Sequence, residues 1–277
     1  MRRRRSVLIL VAAVALLAVG CGGASEPPPQ TTPQLEVLRI IFPEGFTNEE
    51  MAKRVAAVRG IAIRERGVTP RLTRRAYENA IALAKPPKAF LKDWQRGAME
   101  GFLFPAAYEF TQQTTAKQLV ADQLAAFRKR FARVPLKKSK AKNLTPYDVL
   151  VIASMIEKET AVAKERRLVA AVIYNRLRKR MPLGIDATIR YGLGIPPTKS
   201  LTKTALASDN PYNTRRFPGL PPTPIANPGL ASLKAAADPA PVDYLYYVRV
   251  PNTVRHFFTA SESEFLRKVC EFGYACS

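Results

Sequence analysis

Apolar and polar positions change period several times along this chain, and each change marks an element. Residues 35–42 alternate and are rich in β-branched side chains, which predicts a strand. Pro43-Glu44-Gly45 reads as a turn. Thr47 with Glu50 reads as a capping box that opens a helix over 48–58. A second helical stretch covers 70–84 and is broken by Pro86-Pro87. Residues 114–134 carry Leu119, Val120, Leu124, Phe127 and Phe131 at helical spacing. Lys137, Lys138, Lys140 and Lys142 follow as a charge run in a solvated loop. The strongest helix signal begins at Thr145, an N-cap, with Pro146 at the first helical position and Asp148 in the first turn. That helix runs to about Glu159, and an apolar pattern at Leu168, Val169, Val172, Ile173 and Leu177 continues it toward Arg180. Downstream of Met181 the prolines at 196, 197, 211, 218, 221, 222, 224 and 228 preclude long helices. Residues 230–237 read as a short helix and 244–250 as a strand. No internal repeat is present. The whole predicts an α+β chain, mainly helical and loop-rich.

The N-terminus has a different pattern. Residues 2–5 are arginines, 7–19 are an apolar run, and Gly20-Cys21-Gly22-Gly23 follow. A positive block, a short apolar core and small residues describe an export signal. Ala18-Val19-Gly20-Cys21 resembles a bacterial lipobox, with lipidation of Cys21 expected; an uncleaved membrane anchor and free secretion remain as alternatives. All three place the body outside the cytoplasm. Residues 1–24 are therefore taken as signal or anchor and 25–34 as a Pro-rich spacer.

Charge sharpens this picture. Lys plus Arg number 44 against 22 acidic residues, a net of +22, and removing the four arginines at 2–5 leaves +18. Outside the cell the matching polyanions are anionic headgroups, wall polymers and peptidoglycan carboxylates. A solvated basic surface with no partner accounts for the same numbers. Nucleic acid is set aside, since the chain carries an export signal and no basic-aromatic RNA motif. A single histidine, His256, and three cysteines exclude a His-rich metal site and a disulfide scaffold. No metal or cofactor is expected. Cys270 and Cys276, in the tail 269–277, form either a small disulfide loop or two free thiols.

One carboxylate stands out. At about 100° per residue, Val149, Ile152, Ala153, Ile156 and Ala163 form an apolar stripe. Glu159 projects roughly 65° from its centre and Glu157 roughly 95°, further toward solvent. Glu159 thus sits at the edge of the apolar face, where partial desolvation raises a carboxyl pKa and suits a general acid. A boundary residue paired with Lys or Arg fits the same position.

Several blocks, in order, resemble the YceG/MltG family of endolytic murein transglycosylases. They are Met99-Glu100-Gly101-Phe102-Leu103-Phe104-Pro105, Ala153-Ser154-Met155-Ile156-Glu157-Lys158-Glu159-Thr160 and Tyr174-Asn175-Arg176-Leu177-Arg178. Pro211-Tyr212-Asn213-Thr214, Gly219-Leu220-Pro221-Pro222 and Pro224-Ile225-Ala226-Asn227-Pro228-Gly229 follow. Tyr244-Leu245-Tyr246 and His256 with Phe258 complete the set. The resemblance covers about 35–265.

It implies a LysM-like α/β subdomain, here 35–95 and short enough to be partial, followed by a YceG-like catalytic domain at 96–268. It implies an enzyme attached to the plasma membrane through its N-terminus and acting on peptidoglycan glycan strands, with penicillin-binding synthases as partners. The activity implied is internal cleavage of nascent strands at the MurNAc–GlcNAc β-1,4 bond, giving 1,6-anhydro-MurNAc ends and terminating elongation. Such chemistry needs one carboxylate rather than two, because the sugar's own C6 hydroxyl attacks. The resemblance assigns that role to Glu159, followed by Thr160, with Glu157 as the runner-up. It implies substrate contacts at Glu100, at Asp186, Thr188 and Tyr191 (an Asp-x-Thr-x-x-Tyr pattern) and at Asn213. For each of these a structural role is the competing reading, as it is for His256. Ala106-Ala107, Gly184-Ile185, Ala187 and Arg215 depart from the family pattern. These departures bear on fine substrate positioning; Ala106, Ala107 and Ala187 argue mildly for the alternative of a catalytically impaired peptidoglycan-binding scaffold, and the intact Glu159 argues against it.

Overall fold

The computed structural model describes residues 36–94 and 98–274. The expected signal or anchor at 1–24, the spacer at 25–34, Cys21 and Cys276 lie outside the described residues.

The first elements form a strand–helix–helix–strand unit. Strand β1 (Leu38–Ile41) begins it, burying Ile40 and leaving Ile41 exposed, as strand alternation requires. Helix α1 (Asn48–Arg66) opens with the expected capping box: Thr47 and Glu50 bond reciprocally to each other's backbone. It runs past residue 58 and stops only at Gly67, whose φ of 64° a glycine adopts without strain. Helix α2 (Arg74–Leu83) is capped by Thr73. Strand β2 (Ala107–Phe110) then pairs antiparallel with β1, setting Ile40 opposite Tyr108. This partner lies past the expected boundary at residue 95, so residues 107–110 complete the first sheet. The described residues form one compact unit.

Helix α3 (Ala116–Phe131) uses a second capping box, Thr115 with Gln118. Its Phe127 and Phe131 meet Phe90 and Phe102 with ring centroids 4.9–5.5 Å apart. The lysine run forms the single turn of α4 (Lys137–Lys140).

Helix α5 (Pro146–Glu159) is the centre of the fold, and all of its residues from Val149 to Ile156 are buried. The chain does not continue directly into the next helix. Thr160 is extended (φ −139°, ψ 132°), a 3-10 turn covers Ala163–Glu165, and α6 (Arg166–Arg178) follows. The loop-rich part still holds α7 (Asp186–Leu193), the single turn α8 (Lys203–Leu206) and α9 (Leu230–Ala237), which packs on α5 and α6. Strands β3 (Tyr246–Arg249) and β4 (His256–Thr259) make a second antiparallel pair, with Arg249 opposite His256 and Tyr247 opposite Phe258. Helix α10 (Glu262–Glu271) lies on this hairpin, and its Cys270 is disulfide-bonded. The architecture is the expected mixed, mainly helical one with small sheets. Among the described residues no helix is long and apolar enough to cross a membrane.

Candidate functional site

Where α5 ends, its last residue faces a cleft of about 380 Å³, in the range of small-molecule sites. Glu159 forms part of one wall. Asp186 and Tyr191 of α7 and Thr47, Glu49 and Glu50 at the start of α1 form others. Residues of α1, α5 and α7 therefore line one cleft.

The end of α5 is built to hold that carboxyl still. Thr160 is 4% exposed, and its hydroxyl accepts from Val162 N–H at 3.0 Å and donates to Glu165 Oε2 at 3.3 Å. Glu165 also accepts from the His256 backbone N–H at 3.1 Å and lies 2.8 Å from His256 Nδ1. His256 meets Tyr247 edge-to-face, ring centroids 5.4 Å apart. Tyr247 closes the circuit by donating its hydroxyl to Glu159 Oε2 at 2.7 Å.

Burial pushes the Glu159 pKa above the ordinary carboxylate value, and Asp186 pushes the same way. The Tyr247 hydrogen bond, then His256 and Arg215, pull it down. Burial wins. A proton held on a carboxyl at the edge of a cleft is what a general acid needs. Burial likewise pushes the Tyr247 phenol well above its usual range, and the neighbouring Glu159 adds to this, so the hydroxyl stays a donor.

Asp186 is fixed by Arg215, with N···O distances of 2.6 and 2.7 Å, and both side chains are nearly half exposed. Arg215, which departs from the family pattern, is thus the counter-ion of a cleft carboxylate. Ala187 lines the same cleft. Ala106 and Ala107 sit instead at β2, where the Ala106 carbonyl accepts from Phe42 N–H at 2.9 Å.

The structure separates the other expected residues. Tyr191 lines the cleft and donates its hydroxyl to Glu100 at 3.3 Å. Glu100 itself is only 6% exposed and lies behind the wall. It accepts from Asn48 N–H at 3.1 and 3.2 Å and from Asn227 Nδ2 at 3.0 Å, pinning the start of α1. Burial pushes its pKa up to about 8. Thr188 and Asn213 do not line the cleft wall and are both 0% exposed. Thr188 bonds Ile185 O at 2.7 Å and Thr214 Oγ1 at 3.0 Å, while Asn213 Nδ2 spans the carbonyls of Leu206 and Ser208 at 2.9 and 2.8 Å. They shape the loops behind the cleft. Glu157 is corrected. Its side chain is 7% exposed rather than turned to solvent, accepts from Gly229 N–H at 2.8 Å and lies 3.8 Å from Arg166. Because α5 is enclosed nearly all round, the wheel's polar side is not a solvent side.

Sequence reasoning missed Tyr247. Strand alternation gives no signal for it, since Leu245 and Tyr246 are both buried and Tyr247 is the less buried of the two tyrosines. Among the described residues no group of three or more His, Cys, Asp or Glu could hold a metal ion.

Comparison with known proteins gives consistent matches. Residues 24–271 match the YceG-like family. An endolytic murein transglycosylase of Streptococcus pneumoniae (strain ATCC BAA-255 / R6) is 33% identical over 261 residues, 90% of this chain and 46% of that protein. One of Bacillus subtilis (strain 168) is 36% identical over 154 residues, 56% of this chain and 42% of its own length. The chain thus spans about half the length of the curated relatives it matches. The crystal structure of a yceG-like protein from Listeria monocytogenes superposes with a TM-score of 0.69 at 27% identity, covering 83% of this chain and 75% of that one.

Proposed function

The chain belongs to the YceG-like family, and from that premise we propose that it is an endolytic peptidoglycan lytic transglycosylase with Glu159 as its acid/base. The observation that carries this reading is the Glu159 carboxyl, raised in pKa by burial, on the wall of an open cleft. The protonated carboxyl gives its proton to the glycosidic oxygen as the bond from MurNAc C1 breaks. The C6 hydroxyl of the same MurNAc then bonds to C1, and the Glu159 carboxylate takes the hydroxyl proton. The products are a new GlcNAc 4-hydroxyl end and a 1,6-anhydro-MurNAc end, and Glu159 is again protonated. Holding O6 near C1 supplies the effective concentration that attack by water lacks.

Asp186, steadied by Arg215, and Tyr191 face the same cleft and are taken as substrate contacts. The stretch 35–95, its sheet completed by β2, is taken as the LysM-like subdomain from its strand–helix–helix order, and its Thr47, Glu49 and Glu50 stand on the cleft wall. Attachment to the plasma membrane through residues 1–24, cleavage of nascent strands outside it and association with penicillin-binding synthases belong to the same proposal.

The test is mass spectrometry of peptidoglycan digested by the purified protein beside its Glu159→Gln variant. Anhydro-MurNAc ends from the wild type alone are expected. The same ends from both would move the acid to Glu157 or elsewhere. Reducing ends would mean that water attacks and the reaction is hydrolysis. No cleavage of nascent uncrosslinked strands or sacculi would favour a peptidoglycan-binding scaffold.

A further inference from the structure

We infer that Tyr247 is the positioning residue of Glu159: its hydroxyl holds Oε2, fixing the carboxyl rotamer so that Oε1 carries the exchangeable proton toward the cleft. The inference rests on the reading of Glu159 as the acid/base.

The geometry has three parts. Tyr247 donates to Oε2 at 2.7 Å, from a strand 88 residues downstream. Its ring is confined on two sides, edge-on against His256 (5.4 Å) and tilted against Phe258 (5.7 Å). The His256 side is itself immobilised, because Glu165 takes both the backbone N–H and Nδ1 of His256 and also receives the hydroxyl of Thr160. Thr160 directly follows Glu159. The carboxyl is therefore gripped from its own backbone and from its tip, by one continuous set of contacts.

This matters for an acid that becomes a base within one turnover. An unrestrained glutamate can present either oxygen, and a donor fixed on one of them selects the other. The Tyr247 phenol can serve in both steps, since burial and Glu159 keep it protonated. Phe would fill the same space, so only the hydroxyl distinguishes positioning from packing.

The other groups facing Glu159 are set by different elements. Asp186 on α7 raises its pKa, while Arg215 in the following loop and His256 on β4 lower it. Glu49, Glu50 and Lys53 of α1, Lys158 of α5 and Arg190 of α7 line the same cleft. None of these changes when the hydroxyl is removed, so its effect is separable.

The experiment is the pH dependence of strand cleavage by wild type, Tyr247→Phe and Glu159→Gln over roughly pH 5 to 9. Tyr247→Phe should lower kcat about tenfold or more with KM within about twofold, because a hydrogen bond to a charged group is lost at the reacting carboxyl. It should also move the alkaline limb of kcat/KM up by about one pH unit, since a donor that stabilises the carboxylate is gone. An unmoved limb overturns the proposal, whether kcat is kept or lost, because a packing role would leave the limb in place. If the Phe variant does not fold, 3-fluorotyrosine placed at 247 supplies a more acidic donor in nearly the same volume. The limb should then move down, and an unmoved limb overturns the proposal equally. An active Glu159→Gln variant would instead overturn the acid/base reading beneath it.

Discussion

Asn227→Ala is a sharp test of how the cleft wall is held. Asn227 is 0% exposed and ties its own loop to two others, at Phe46–Asn48 and Glu100–Leu103. Its Nδ2 reaches Phe46 O and Asn48 Oδ1 at 2.9 Å and Glu100 Oε1 at 3.0 Å, and its Oδ1 accepts from Leu103 N–H at 2.9 Å. Truncation does not cost the same at each end. Phe46 O keeps the backbone N–H of Asn227 at 2.9 Å, and Glu100 keeps Asn48 N–H and Tyr191 OH. Leu103 N–H is left without an acceptor in a residue that is 0% exposed, which costs about 1–3 kcal/mol. The small void and the weakened Glu100 contact bring the expected loss to about 3 kcal/mol. That is a large share of the roughly 5–15 kcal/mol that keeps a domain folded. Asn213→Ala supplies the comparison. Its Nδ2 partners are carbonyls of the half-buried Leu206 and Ser208, which water can reach, so about 1 kcal/mol is expected. Urea unfolding followed by circular dichroism measures both. Equal losses, or a loss under about 1 kcal/mol for Asn227→Ala, would refute the accounting.

Three further outcomes follow from the same structure. Glu100 has a folded pKa of about 8 against an ordinary 4.5, so the fold binds its proton more tightly than the unfolded chain does. Stability should fall as pH rises through that window and level off above about 8; thermal melts should show a flatter dependence for Glu100→Gln than for wild type. Gly101→Ala should destabilise by about 2–4 kcal/mol in a chemical melt. Its φ is +89°, and a Cβ would lie 2.7 and 2.8 Å from Pro224 carbons and 3.3 Å from Leu150. Arg215→Ala frees Asp186, a group that raises the Glu159 pKa, while removing a cation that lowers it. Its kcat/KM profile should keep activity to higher pH than the wild type's, and a downward move would contradict this.

Local signals in the sequence were read well where local chemistry decides. Thr47 with Glu50 and Thr145 with Pro146 mark the starts of α1 and α5 because caps are made by residues three apart. The end of α1 was missed. Gly60 falls inside the helix, and Ile61 and Ile63 stay exposed at 44% and 37%, so the second half lacks an amphipathic stripe. Strand β2 went unread because its partner β1 lies far back in the chain, and four residues carry little alternation of their own. Helix α7 was hidden among prolines that flank it without entering it. At the site, helical spacing singled out Glu159, but the Glu157 and Thr188 environments depend on Gly229 and Thr214, which no spacing rule connects to them. Tyr247 is the same case at longer range.

The circuit around Glu159 also dictates an order of assembly. Its closing contacts join residues 88 and 91 positions apart, and such distant pairings form after local helices do. Helix α5 is complete long before the β3–β4 hairpin has been synthesised. A growing or refolding chain therefore carries its acidic residue early and acquires the grip on it late. On the proposed reading of Glu159, strand cleavage should therefore return after helical signal does when the unfolded protein is refolded.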